Sequence, residues 1–137
     1  MKYYSLKYKD RIKDGFGGYA KMWKIEILEK YRYDKGLLEH EKVHVKVWYA
    51  CMLLTFAIAG ALYVFVDPLL GWTALLGPFA NGVAIQPKWA KKIHEAYAYR
   101  VQLKHGNYRS PQFAIDALMN KYGLGLSEKE ARKALRL

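Results

Sequence analysis

The sequence predicts a mainly α-helical fold with a short β-element, of the α+β class, in one domain of 137 residues. Apolar residues recur at helical spacing over residues 37–66 and again over residues 88–104. Residues 20–31 alternate between two faces, which is typical of a strand. Between the two helical stretches, residues 47–87 carry a single charged side chain, Asp67. Together these patterns predict an apolar helical hairpin between two helices.

The distribution of charge divides the chain into regions. The net charge of +11 lies at both ends: residues 1–46 have 12 Lys or Arg against 7 Asp or Glu, and residues 88–137 have 11 against 4. Two basic flanks around an almost chargeless middle are more typical of membrane proteins than of nucleic-acid-binding proteins. The predicted regions are a basic N-terminal region with an edge strand, a motif helix with an apolar extension, a second apolar segment and a C-terminal group of helices, at residues 1–36, 37–66, 67–87 and 88–137.

The N-terminal region combines aromatic and cationic side chains. Residues 1–20 interleave tyrosines with lysines in a way that can stack on nucleic acid, but the sequence matches no nucleic-acid-binding motif, so no specific nucleic-acid partner is expected. In the predicted strand, Trp23, Ile25 and Ile27 share one face. An exposed edge of this strand can bind a peptide as an additional strand. The alternative is an ordinary strand that covers the core.

Residues 40–44 read His-Glu-Lys-Val-His, a His-Glu-x-x-His motif. On a helix, His40 and His44 lie about 40° apart around the axis and one turn apart along it, so both imidazoles can bind one metal ion. Glu41 lies about 100° from His40, where it can face a water molecule without ligating the metal. Zinc lowers the pKa of such a water, and the glutamate takes its proton as general base. The alternative is a solvated helix with two surface histidines.

The third metal ligand is predicted to be Glu95. A metzincin would need a glycine and a histidine after the motif, but Val47 and Ala50 occupy those positions. Glu95 lies on a later helix that can return antiparallel after the apolar hairpin. His94 is the competing ligand, but on a helix it points about 100° away from Glu95, and we expect it on the surface.

A tyrosine close to Glu95 can complete the site. The side chain of Tyr97 or of Tyr99 can donate a hydrogen bond to the oxyanion that forms during amide hydrolysis. In a chain with 12 tyrosines, packing is the alternative role for either one.

At these residues the chain resembles the gluzincins, and more closely small zincin-like proteins encoded by bacteriophages. The matching stretches are Gly-Leu-Leu-Glu-His-Glu-Lys-Val-His-Val at residues 36–45 and Glu-Ala-Tyr-Ala-Tyr-Arg-Val-Gln-Leu at residues 95–103. The resemblance implies a minimal zincin-like core with zinc as its cofactor and hydrolysis of a peptide or protein. The chain departs from the pattern in its longer apolar insert. It also departs at Tyr99, where gluzincins often have an aspartate that orients a ligand histidine.

The apolar middle predicts a membrane hairpin. Residues 47–66 form an uncharged run that is about 30 Å long as a helix, which is the thickness of one bilayer core. After Asp67 and a proline, residues 69–85 form a second uncharged run. Lys46 on one side and lysines from residue 88 onward on the other favour both ends in the cytoplasm. The alternative is a hairpin buried in the core of a soluble domain.

The C-terminal region predicts two further helices. Ser110 and Pro111 are typical of a helix start, and that helix is expected to end at Gly123. Ser127 and Glu130 have the spacing of a capping box at the start of a short basic helix.

The expected function is zinc-dependent peptide-bond hydrolysis at the cytoplasmic side of an inner membrane. The expected partners are a peptide or protein substrate, membrane lipid, and a phage virion or host envelope component. The alternative is a non-enzymatic phage structural or membrane-associated protein with a structural or vestigial metal site, including a location in the virion.

Overall fold

The structure is a computed structural model that describes residues 2–12 and 15–137. The described residues form a small three-stranded sheet and a larger group of helices, which confirms the predicted α+β class. The strands are β1 (Ser5–Lys9), β2 (Gly18–Lys21) and β3 (Lys24–Leu28). The α-helices are α1 (Lys35–Phe65), α2 (Gly77–Ala84), α3 (Lys88–His105), α4 (Gln112–Asn120) and α5 (Glu128–Leu135), with short 3-10 helices at Glu29–Tyr31 and Pro68–Leu76.

The sequence predicted a single strand over residues 20–31. This prediction is wrong, because two strands, β2 and β3, occupy that stretch. Its strand order is β1-β3-β2, with β1 parallel and β2 antiparallel to β3. The chain reverses between β2 and β3 at Met22, whose φ of 54° is in the left-handed region that favours glycine. The turn was missed because it has no glycine or asparagine. The predicted face was correct for Ile25 and Ile27, which are buried and pack with Val45 of α1, but Trp23 lies in the turn before β3 and is 42% exposed.

Helix α1 organises the fold. The Asp34 side chain caps its N-terminus by accepting a hydrogen bond from the Leu37 backbone N–H at 2.8 Å. Its 31 residues span about 46 Å. The first half of α1 packs against the sheet and α3, and the second half packs against the segment that follows it.

That following segment returns along α1 and forms the predicted helical hairpin. Gly77 lies against the Phe56 ring, and Gly71 against the Tyr63 ring. The Trp48 indole N–H donates to the Pro78 carbonyl oxygen at 2.8 Å. The returning limb is a 3-10 helix followed by α2 rather than one α-helix.

The hairpin is exposed along most of its length. Leu54, Phe65 and Leu69 are 62%, 84% and 74% exposed. The chain therefore does not bury the hairpin in its own core, in contrast to the soluble-core alternative. Among the described residues, α1 is long and apolar enough to cross a membrane, and the segment Pro68–Ala84 with α3 passes the same test only as a pair bent by 84°.

Helix α3 returns the chain to the first half of α1 and packs on α4 and α5. The core of this region includes Ala96, Tyr99, Ile115 and Leu118. The predicted helix after Pro111 is α4, which ends at Asn120, three residues before Gly123. The capping box at the start of α5 is confirmed, because the side chains of Ser127 and Glu130 bond each other's backbone N–H.

Candidate metal centre

Helices α1 and α3 bring the three predicted ligands together. His40, His44 and Glu95 each present a ligand atom, and these atoms all lie within 4.8 Å of one another. Glu95 Oε2 is 3.9 Å from His40 Nε2 and 3.8 Å from His44 Nε2. The alternative of two surface histidines is wrong, because His40 is only 4% exposed and the His44 side chain 19%.

The cluster fits a zinc ion. Three ligands at 2.0–2.1 Å from a tetrahedral zinc are roughly 3.4 Å apart, so small shifts of the side chains would suffice. Glu95 Oε2 is buried and makes no hydrogen bond with any described residue. A buried polar atom without a partner is unfavourable by about 1–3 kcal/mol. A cation between the three donors would remove that penalty.

Burial keeps the two histidines in the form that binds metal. It lowers the pKa of His40 to about 3, with His94 adding to this effect. It also lowers the pKa of His44 well below its usual value. Both imidazoles are therefore neutral at physiological pH and each has a lone pair to offer.

His94 lies behind His44 and not on the surface as expected. It is 8% exposed, and its Nε2 is 3.1 Å from His44 Nδ1. When His44 Nε2 binds a metal, Nδ1 carries the proton and donates it to His94. His94 thus supports a ligand and does not replace one. The sequence signal for the role of His94 was its position next to Glu95 on the same helix. His105, by contrast, is exposed.

A chain of polar side chains that the sequence reasoning missed lies behind His40. His40 Nδ1 and Gln102 Oε1 are both buried, and neither makes a hydrogen bond of normal geometry with a described residue. Gln102 nevertheless lies close enough to oppose the lowered pKa of His40 by hydrogen bonding. The Gln102 amide donates to the Tyr108 hydroxyl at 3.0 Å, and Tyr108 donates to Asp34, the cap of α1.

These polar side chains can orient the His40 ring. Gln102 lies seven residues after Glu95, so the two side chains share one face of α3. A small rotation of the Gln102 side chain would let its amide oxygen accept a hydrogen bond from His40 Nδ1–H, which leaves Nε2 free for a metal. The signal in the sequence was Gln102 at this helical spacing from Glu95.

Glu41 is buried beside the cluster. It is 4% exposed and faces β2, where a Cβ added to Gly18 would lie 2.7 Å from Glu41 Oε1. Burial, together with the nearby Glu95, raises the pKa of Glu41 to about 8. Burial also raises the pKa of Glu95 to about 7. Glu41 can therefore exchange a proton near neutral pH, as a general base must.

The structure separates the two tyrosines that were proposed for the oxyanion. The Tyr99 ring packs edge-on against His40 at 4.5 Å, and burial raises the pKa of Tyr99 to about 12. Tyr97 is about 200° around α3 from Glu95. It is 51% exposed and lies under Arg100, so the fold does not bring it to the cluster.

Tyr122 joins Tyr99 at the site, and its role was missed. The hydroxyls of Tyr99 and Tyr122 are 3.0 Å apart, and Tyr122 lies close enough to Glu95 to oppose, by hydrogen bonding, the rise in the pKa of that carboxyl. Because Tyr122 lies in a turn after α4, no helical spacing connects it to the motif.

The assembled side chains can hold zinc, accept a proton from water and donate hydrogen bonds to a developing negative charge. His40, His44 and Glu95 leave one tetrahedral position open. The chain matches no protein-family model, no curated protein and no solved structure.

Proposed function

We propose that this protein is a zinc-dependent peptidase that works at a membrane surface. The observation that carries the proposal is the convergence of His40, His44 and Glu95 on one point, with Glu95 Oε2 buried and unpaired among the described residues. The donor set of two imidazoles and one carboxylate is typical of catalytic zinc sites.

Glu41 is the proposed general base. Zinc, when bound, polarises the carbonyl and acidifies water. Glu41 takes a proton as the water oxygen bonds to the carbonyl carbon, and it returns that proton to the amine nitrogen when the C–N bond breaks. Its raised pKa supports both transfers near neutral pH.

Tyr99 and Tyr122 are the proposed donors to the oxyanion. Their hydroxyls are 3.0 Å apart, and the Tyr99 ring touches a ligand histidine. Since burial raises the pKa of each, both remain protonated at neutral pH and able to donate.

The edge of β2 is the proposed substrate-binding strand. β2 is the outer strand beside β3, and its Gly18 lies against Glu41. A peptide that pairs with the free edge of β2 would run past the general base. The predicted edge at Ile25 and Ile27 is wrong, because these residues lie in the central strand β3, and the proposed role passes to β2 at Gly18–Lys21.

The hairpin is the proposed membrane anchor. Its exposed apolar side chains would be solvated by lipid, and a 20-residue uncharged helical run suits one bilayer core. Lys46, Lys88, Lys91 and Lys92 lie at its base, where they can contact anionic headgroups. Trp23 and Trp89, exposed by 42% and 68%, suit the interface as well.

The position of His94 supports a catalytic site over the alternative of a closed structural one. His94 faces Nδ1 of His44, on the side of the ring opposite to the proposed metal. A closed site would instead need a fourth protein ligand among the donors.

Zinc content tests the proposal. We expect one equivalent of zinc per chain after reconstitution, and less than a tenth of that in His40→Ala or His44→Ala. His105→Ala is the matched control, since His105 is exposed and bonds only its own helix. Wild-type protein that binds no zinc in detergent or liposomes would contradict the proposal.

A further inference from the structure

Two cavities meet at the metal cluster. The larger has a volume of about 810 Å³ and the smaller about 250 Å³. His40, Glu41, Gly18 and Tyr122 line both. A substrate polypeptide that passes from one cavity to the other would therefore cross the proposed catalytic centre.

The smaller cavity leads from the cluster to the base of the hairpin. Its far wall includes Trp48 of α1 with Asn81 and Ile85 at the end of α2. The hydrogen bond from Trp48 to Pro78 joins the two limbs at this level. One turn further along α1, the exposed apolar surface begins at Leu53. The far end of the smaller cavity thus lies where the proposed membrane anchor meets the body of the protein.

Helix α3 has a stripe of exposed apolar side chains on the body of the protein. It is bent by 84° from the returning limb, Pro68–Ala84, and packs along the first half of α1. Trp89, Ile93 and Tyr97 follow one another at four-residue intervals and are 68%, 59% and 51% exposed. An amphipathic helix with such a stripe is typical of the membrane interface.

We propose that the substrate is a polypeptide anchored in the same membrane, cut in the segment next to its anchor. The extended segment enters from the hairpin base through the smaller cavity, passes between Glu41 and the metal ligands, and leaves through the larger cavity into water. This inference depends on the proposed peptidase activity and adds the class of its substrate.

The test uses the full-length zinc-loaded protein in liposomes of phosphatidylethanolamine and phosphatidylglycerol. The probes are two peptide mixtures with the same randomised segment, one free and one fused to a transmembrane Leu-Ala helix. We expect the anchored mixture to be cut at least tenfold faster, at sites close to the anchor as mapped by mass spectrometry.

A cavity variant tests the path itself. Ile85→Trp places an indole in the smaller cavity and should slow cleavage of the anchored mixture at least tenfold. Val83→Trp is the control, because Val83 is 73% exposed on the same helix and does not line that cavity. Both variants should keep one equivalent of zinc, which shows that the site is folded.

The outcomes separate this inference from the proposed activity. Equal cleavage of free and anchored mixtures, or an Ile85→Trp variant as fast as Val83→Trp, overturns the inference and leaves the peptidase standing. If neither mixture is cut in a zinc-dependent way, the proposed activity fails and the inference fails with it.

Discussion

The two halves of α1 follow opposite rules. In the first half, His40 and Glu41 are polar and 4% exposed, whereas in the second half Leu54 and Phe65 are apolar and 62% and 84% exposed. Soluble proteins usually bury apolar side chains and leave charged ones in water. Within one continuous helix, α1 therefore buries polar side chains in its first half and exposes apolar side chains in its second, both contrary to the usual pattern.

This contrast indicates what each half lacks. Buried polar groups are stable when they are paired, and Glu95 Oε2 beside the first half has no hydrogen-bond partner among the described residues, which is why we propose a cation there. A large exposed apolar surface indicates a partner or a membrane. The proposed metal ion would pair the polar groups of the first half, and the proposed membrane would cover the apolar surface of the second.

The largest expected effect comes from placing charge on the hairpin. Leu54→Lys with Ile58→Lys should move the protein from a carbonate-resistant membrane fraction to the soluble or aggregated fraction. Each lysine near the centre of a bilayer costs about 2.5–3.5 kcal/mol on the insertion scale. Leu54 and Ile58 are exposed in this fold, by 62% and 52%, so the same lysines would be tolerated in a soluble protein.

Tyr33→Lys is the control for this experiment, since Tyr33 is 91% exposed in the part of the chain before α1. It should stay in the membrane fraction. Folded wild-type protein in the cytosolic fraction without detergent would show that the hairpin is covered by a protein partner and not by lipid.

The next effect concerns the buried half. Glu41→Gln should keep one equivalent of zinc and reduce the hydrolysis rate roughly 10²–10⁴-fold, because an amide cannot accept the proton from water. The measurement is cleavage of the peptide mixtures together with zinc content. Glu39→Gln is the matched control: Glu39 is two residues away, is paired with Lys42 and has a side chain that is 29% exposed. Equal rates for wild type and Glu41→Gln would remove Glu41 from the mechanism.

The sequence was enough to predict the residues whose spacing is set by a helix. His40, His44 and Glu95 were found because one motif and one returning helix define them, and the structure brings them within 4.8 Å. Tyr122 was missed because its place depends on how α4 packs, which no local pattern encodes. β1 was missed because it lies in a basic, tyrosine-rich segment and its pairing with β3 is a contact between residues distant in the sequence.

The alternation of side chains between two faces was interpreted correctly in part of residues 20–31, but the turn that interrupts it was not predicted. Ile25 and Ile27 are buried as predicted, yet Met22 forms the turn that divides the strand. In the same way, the apolar composition of residues 69–85 was informative about the hairpin, whereas the change from a 3-10 helix to α2 at Gly77 followed from close packing on Phe56.

The smallest expected effect concerns Gln102, which lies between His40 and the residues that cap the N-terminus of α1. Gln102→Leu removes the acceptor for the His40 Nδ1 proton and should weaken zinc binding roughly 10–100-fold, as is typical when a partner of a ligand histidine is lost. Competition with a chelating dye measures this affinity. Gln102→Glu keeps an acceptor and should recover most of it, while the thermal unfolding of the zinc-free variants checks that both are folded. A purely structural role for Gln102 would lower the stability of the leucine variant but leave its zinc affinity equal to that of the wild type. Zinc affinity that falls with leucine and returns with glutamate, at equal stability, would establish Gln102 as the positioning residue in place of the aspartate that gluzincins use.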